Sequence, residues 1–323
     1  MAEIRVLTPM PWLVESAWPG EEQVTVEYAE VERMHELIEG CDVLWTQFFT
    51  SQMAERATSL ELIQSTGAGI ELIDLDAVPP GCEVAIVHEH ERAIAEWVLM
   101  SMIALNRDAF RVDATFRTGS WEMSYFNAPT AVELTEQTLG IIGFGHIGQQ
   151  CALLASALGM RVVAATRSPD KVVDPSQFGV SQVVGLGDMA EVLAQSDFVL
   201  LATALSAETE NLIGAGELAA MKSGGSLINV SRARVVDEDA LFGALSDGRI
   251  KGAALDVWWG EPLAPEETHA PSRHPFGELD NVFMSPHVSA MTQQMLQRRV
   301  RSATANIDRC ARGEPIQNVV YRG

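Results

Sequence analysis

The sequence predicts an α/β protein of two doubly wound parallel-sheet domains. Three observations predict it. Short runs rich in Val, Ile and Leu alternate with helical patterns through the first hundred residues. A second series of such runs restarts near residue 138, its first member followed by a glycine-rich turn. Runs of this kind, apolar without alternation, are what strands covered on both faces require. The length, 323 residues, is comfortable for two domains that each bury a core.

The elements follow in order. EIRVLTP reads as a strand, and VERMHELIEG as a helix closed by Gly40. CDVLWTQ is a strand. SQMAERATSLELIQSTGAG holds a helix, a strand and a glycine-containing turn, and CEVAIVHEH another strand. A long helix is expected from about Arg92 to Thr118, ending at TGSW. EMSYFNAPTAVELTEQ lacks periodicity and reads as an extended linker. The strand–helix rhythm then resumes at TLGIIGFGHIGQQCALLASALGMRVVAATR and continues through SDFVLLATA, GSLINVSRA, GAALDVWW and NVFMSPHV. A final helix from about Thr292 to Arg312 completes nothing in the second sheet, so it is free to return to the first unit.

Bulk properties exclude several classes. A hydrophobic content of 47% and a mean hydropathy of +0.08 belong to a folded protein. No apolar run reaches the roughly 18 residues of a membrane span; WVLMSMIAL, Trp97 to Leu105, is too short. MAEIRVLTPMPW lacks a basic segment followed by an apolar one, so no secretory leader is expected. The four cysteines, Cys41, Cys82, Cys151 and Cys310, are scattered without metal-ligand spacing. That pattern points to a reduced cytoplasm and no metal site. The net charge of −22 repels nucleic acid and anionic membranes. Lys171, Lys222 and Lys251 are the only lysines. Two readings of this balance stay open: adaptation to high salt, or an acidic protein from a GC-rich genome.

Gly143-Phe144-Gly145-His146-Ile147-Gly148 follows the strand LGII and opens a helix. In that context the glycines allow a tight turn, backbone approach to a pyrophosphate, and close helix–strand packing, with helix amides facing the anion. About 20 residues on, such folds place an acid that binds the adenine ribose. Here the strand RVVAA ends in Thr166, Arg167 and Ser168. A neutral residue, a guanidinium and a hydroxyl remove a repulsion and supply phosphate donors, so NADP(H) is favoured over NAD(H). The alternative is that Arg167 stacks on adenine or faces solvent while Asp170 takes the acid's place.

STGAGIELIDL, AIAEWVL, TLGIIGFGHIG, LINVSRARVVDEDAL, GAALDVWWGEPL and SPHVSAMT occur in this order along the chain. Together they resemble the D-isomer-specific 2-hydroxyacid dehydrogenases, of glyoxylate/hydroxypyruvate reductase type, over nearly the full length. The resemblance implies a flavodoxin-like substrate domain, residues 1–97 and 288–323, split by a Rossmann cofactor domain, residues 98–287. It implies that Arg232, at the carboxyl end of strand LINV, pairs with the carboxylate and carbonyl of a 2-oxo acid. His287 is then the acid–base group, suited to proton exchange near neutral pH. Glu261 hydrogen-bonds its other ring nitrogen and raises its pKa. Ala68 and Gly69 offer backbone amides to the substrate carboxylate. Asp256 accepts from the nicotinamide carboxamide, and Thr209, Val230 and Ser231 line the cofactor. A homodimer through the Arg92–Thr118 helix is also implied.

Ala233 stands where Gly is usual and Ala204 where Pro is usual, which puts local loop geometry in question. Glu261 argues against the formate dehydrogenase branch, which has Gln there. Trp258 and Trp259 either narrow the pocket or pack in the core. The expected activity is reduction of a small 2-oxo acid to the D-2-hydroxy acid. The rival is a non-enzymatic NAD(P)-sensing scaffold of the corepressor type.

Overall fold

The computed structural model describes residues 4–11, 18, 20, 22–128, 130–262 and 268–323. Glu3, which opens the first expected strand, and Leu263, which ends the GAALDVWWGEPL motif, lie outside the described residues, as do Met1 and Trp12 of the expected leader-free start. The chain divides into two units, Met1–His90 with Thr292–Gly323, and Glu91–Met291.

The first unit is built on β1 (Ile4–Thr8), β2 (Val24–Tyr28), β3 (Val43–Trp45), β5 (Leu62–Gln64) and β7 (Glu83–Ala85), with a short side pair of β4 (Phe48–Phe49) and β6 (Leu72–Ile73). The main sheet runs β2-β1-β3-β5-β7, all parallel, and β15 (Val319–Arg322) adds antiparallel to β7. That is the flavodoxin-like order. Both faces are covered. Leu7, Leu44, Ile63 and Val84 pack with Met34, Ile38 and Phe49. On the other face Val6, Val43 and Leu62 pack with Ala303 and Ile307 of the terminal helix Gln293–Arg312. Asn306 anchors that helix: its Nδ2 donates to buried Gln64 Oε1 at 2.9 Å, and its Oδ1 accepts from Gln317 N–H at 3.0 Å.

The second unit holds β8 (Thr138–Ile142), β9 (Arg161–Thr166), β10 (Val180–Gly185), β11 (Phe198–Leu201), β12 (Ser226–Asn229), β13 (Gly252–Leu255) and β14 (Val282–Met284). They form one parallel sheet in the order β10-β9-β8-β11-β12-β13-β14, the Rossmann order with a seventh strand. Leu139, Ile141 and Val162 face Ile94, Val98 and Met102 of the helix Glu91–Asn106, and Cys151 and Ala152 of the helix His146–Ala157. Ile142, Val163 and Val199 face Val192, Leu218 and Leu241 on the opposite side. Trp258 is buried there, and Trp259 stacks on Phe276 with centroids 5.8 Å apart, so both tryptophans pack in the core.

Several expectations need correction. The long helix is two, Glu91–Asn106 and Ala109–Arg117, broken where Asp108 takes φ +50° and Asn106 Nδ2 donates to the Val132 carbonyl. The edge strands β10 and β15 were not expected. The units separate at residues 90/91 and 291/292 rather than 97/98 and 287/288. The reason is packing: Ile94 and Ala95 already belong to the second core, as does Ala290 after the last strand.

Candidate active site

One register line sets the site. Ala165, Ile142, Leu201, Asn229, Leu255 and Met284 are successive partners across β9, β8, β11, β12, β13 and β14. Each functional segment leaves the sheet just beyond that line, at the carboxyl ends where ligands bind such sheets.

The glycine loop leaves β8. Gly143 has φ +101°, and a Cβ there would lie 2.6 Å from the Ala202 and Thr203 backbone. A Cβ on Gly148 would lie 2.4 Å from the Gly143 carbonyl oxygen. Gly145 differs: a Cβ would meet nothing within 4 Å, so this position faces open space where the helix His146–Ala157 begins. His146 is exposed and Ile147 packs against the core beside Phe144.

A cavity of about 610 Å³ adjoins this loop. Thr166, Arg167 and Ser168 line one wall and Thr209 the other, and none of its described lining residues is a carboxylate. Asp170 is not among them. Arg167 Nη1 lies 3.8 Å from Glu208 Oε2, with both side chains largely exposed. The Thr209 hydroxyl donates to the Ala204 carbonyl at 2.7 Å and accepts from Ser206 N–H at 2.8 Å, so it staples its own turn while lining the cavity. Room at Gly145, with crowding at Gly143 and Gly148, fits a dinucleotide at this loop.

Past β12, Asn229 organises the turn. Its Oδ1 accepts from Ser231 N–H (3.0 Å) and Oγ–H (2.8 Å), and its Nδ2 donates to the Arg232 carbonyl at 3.1 Å. Val230 and Ser231 are buried; Arg232 is half-buried, with Nη1 donating to the Ser231 carbonyl at 2.8 Å. Ala233 opens the 3-10 turn Ala233–Val235 without positive φ, so no glycine is needed there.

Past β13 and β14, Asp256 is fully buried and gathers the loop that carries His287. Its Oδ1 accepts from Ser285 Oγ–H (2.5 Å) and Val288 N–H (2.8 Å), and its Oδ2 from Ser289 N–H (2.9 Å). Its carbonyl accepts from His287 N–H at 2.7 Å. This clamp surrounds a non-glycine residue at φ +55°, a conformation that persists where neighbours over-determine it. His287 Nδ1 lies 2.9 Å from Glu261 Oε2, while Glu261 Oε1 accepts from Trp258 N–H at 2.9 Å. The Glu261 hydrogen bond raises the His287 pKa above its ordinary value against the opposing effect of burial, with Glu261 and Asp256 charge adding to it. Burial alone would raise Glu261; the bond and charge of His287, the Trp258 amide and the Arg232 cation together hold it lower than usual.

The second unit thus brings Arg232, Asp256, Glu261 and His287 to one end of its sheet, with the glycine loop and Thr166–Ser168 farther along. Ala68 and Gly69 lie in the first unit, in the loop after β5, where Ser65 Oγ–H donates to the Gly69 carbonyl at 3.1 Å. Among the described residues no His, Cys, Asp and Glu group could hold a metal, and no helix is long and apolar enough to cross a membrane. Sequence reasoning missed Asn229, Ser285 and Ser289. Ser285 and Ser289 flank the motif histidine, and that position was the available signal.

The sheet order and glycine loop define a two-domain protein with a Rossmann dinucleotide-binding unit. The family model described as "D-isomer specific 2-hydroxyacid dehydrogenase, NAD binding domain" matches residues 99–289, and the chain belongs to that family. It is 32% identical over 313 residues to a glycerate dehydrogenase of Methylorubrum extorquens, covering 95% of this chain and 90% of that one. It is 32% identical over 295 residues to a D-3-phosphoglycerate dehydrogenase of Methanocaldococcus jannaschii, covering 90% of this chain but only 53% of that one. The chain therefore spans about half the length of that relative. A D-lactate dehydrogenase structure from Aquifex aeolicus, complexed with NAD and lactic acid, shares the fold with a TM-score of 0.83 at 23% identity, covering 99% of both chains.

Proposed function

We propose that this protein is an oxidoreductase that reduces a small 2-oxo acid to the D-2-hydroxy acid with a nicotinamide cofactor, NADPH in preference to NADH. The observation that carries the reading is the His287–Glu261 pair, an imidazole hydrogen-bonded at 2.9 Å to a carboxylate that raises its pKa, at the end of a dinucleotide-binding sheet.

The bound nicotinamide supplies the hydride. Arg232 pairs with the substrate carboxylate and polarises the carbonyl, a planar guanidinium matched to a carboxylate. His287 holds the proton that the carbonyl oxygen takes up as charge develops, and recovers it in the oxidative direction. Glu261 stabilises the imidazolium and fixes the ring through Nδ1. Asp256 uses three of its roughly four acceptor positions on the 285–289 loop, leaving one for the carboxamide. Gly143, Gly145 and Gly148, with His146 and Ile147, form the pyrophosphate loop. Thr166, Arg167 and Ser168 receive the adenosine end; Thr209 on the cavity wall, with Val230 and Ser231 beyond β12, contacts the rest of the cofactor. Ala68 and Gly69 remain in the proposal as amide donors to the substrate carboxylate.

A homodimer and a reduced, cytoplasmic setting complete the proposal. Phe116, Trp121, Tyr125 and Phe126 lie exposed within a short stretch, Trp121 at 70% and Tyr125 at 85%, and clustered apolar exposure of this kind marks an association surface. Sedimentation equilibrium tests the dimer. The test of function is oxidation of NADPH and NADH across a panel of 2-oxo acids, including glyoxylate and hydroxypyruvate. Turnover with NADPH above NADH is expected; tight cofactor binding without turnover on any acid contradicts the enzyme reading.

A further inference from the structure

We propose that Lys171 and Glu208 tune cofactor choice from opposite sides: Lys171 is a second cation for the adenosine 2′-phosphate, and Glu208 is a carboxylate that competes for Arg167. This rests on the NADPH preference proposed above.

Lys171 closes the 3-10 turn Pro169–Lys171, whose first flanking residue is Ser168. Its amide donates to the Ser168 carbonyl at 3.1 Å, which folds the turn back on itself. The turn therefore brings a second cation to the cavity wall already formed by Thr166, Arg167 and Ser168. The other two lysines are engaged: Lys222 Nζ lies 2.9 Å from Asp197 Oδ1, and Lys251 Nζ donates to the Asn106 carbonyl at 3.2 Å. Among the described residues Lys171 has no ion pair, in a chain with 44 acidic and 22 basic residues. Two cations and no carboxylate on a cavity wall run against the composition of the whole molecule, and a dianionic phosphate is the ligand that pairing suits.

Glu208 stands just outside that wall, on the turn stapled by Thr209. At 3.8 Å and largely exposed, its pairing with Arg167 is weak, so it does not lock the guanidinium away. It does place a negative charge within reach of the phosphate Arg167 would bind. An arriving 2′-phosphate takes Arg167 from Glu208 and meets residual repulsion; a ribose hydroxyl meets none.

The test is calorimetric titration of the full chain at low ionic strength, where such charges are least screened. The probes are adenosine 2′,5′-bisphosphate and adenosine 5′-monophosphate, which differ only in the 2′-phosphate. Lys171→Met is expected to weaken the bisphosphate about tenfold, the scale of one charge-assisted contact, and to leave the monophosphate within about twofold. Glu208→Gln is expected to tighten the bisphosphate roughly twofold to fivefold and leave the monophosphate unchanged. Wild-type preference for the bisphosphate with neither variant altering it overturns this inference and leaves NADPH preference standing. Equal effects on both probes overturn it too. Equal wild-type affinity for the two probes overturns both.

Discussion

His287 hangs from Asp256: its N–H donates to the Asp256 carbonyl at 2.7 Å, and the Asp256 side chain takes up the amides of the next two residues. The proposed acid–base residue is thus held in left-handed backbone conformation by a buried carboxylate that need not touch substrate. Asp256→Asn keeps the shape but turns a donor toward groups that are all donors. Leaving a buried donor unsatisfied costs about 1–3 kcal/mol. We expect a stability loss on that scale in urea unfolding, with a fall in kcat/KM. An unchanged unfolding midpoint would deny Asp256 the clamping role.

Glu261→Gln removes the charge that raises His287. The proposed reduction needs the imidazole protonated, so wild-type kcat/KM is expected to fall as pH rises through the raised His287 pKa. In the variant that fall moves to lower pH, with a loss of roughly tenfold at neutral pH. A pH–rate profile of both proteins checks this.

The same pair links stability to pH. His287 is raised, so its contribution is complete below the ordinary value of 6.5 and is lost as pH rises through the folded value. Glu261 is lowered, so its contribution is complete above 4.5 and is lost as pH falls through its folded value. The stability difference between wild type and Glu261→Gln is therefore expected to be largest between pH 4.5 and 6.5. Thermal unfolding across pH measures it. The effect is modest, because the His287 side chain is 50% exposed.

Gly145 and Gly148 make opposite predictions. A Cβ at Gly145 meets no protein atom within 4 Å, so Gly145→Ala folds with wild-type Tm and loses cofactor affinity at least about tenfold. A Cβ at Gly148 collides with the Gly143 carbonyl at 2.4 Å, so Gly148→Ala loses Tm even without cofactor. Thermal shift and NADPH fluorescence titration separate the two.

With 44 acidic against 22 basic residues, repulsion between like charges opposes the folded state at low salt. Unfolding midpoints at about 0.1 M and 1 M NaCl, where the screening length drops from about 10 to about 3 Å, choose between the two readings of the composition. A marked rise favours salt adaptation; equal midpoints favour the plain acidic protein.

The sequence made the central strands and the segments of the candidate site legible because each carries a local signal. LGII, FVLL and GAAL are continuous apolar runs, and the glycine loop follows the first of them. The edges were not legible. VSQVVG and VVYR mix polar with apolar residues, since an edge strand is only half covered. The break at Asp108 carries no Gly or Pro; a tertiary bond from Asn106 to Val132, 26 residues on, accompanies it. Asp256 was expected only as a cofactor contact; its donors come from 29 to 33 residues away, so its grip on the His287 loop emerges only when β13 and β14 lie side by side.

In the proposed reaction His287 supplies the proton. The most direct measurement is kcat/KM of His287→Ala against wild type on the best 2-oxo acid, alongside the Kd for NADPH. A loss of roughly 10²- to 10⁴-fold in kcat/KM is expected, with Kd within about twofold of wild type. A variant that reduces the acid as fast as wild type would contradict it.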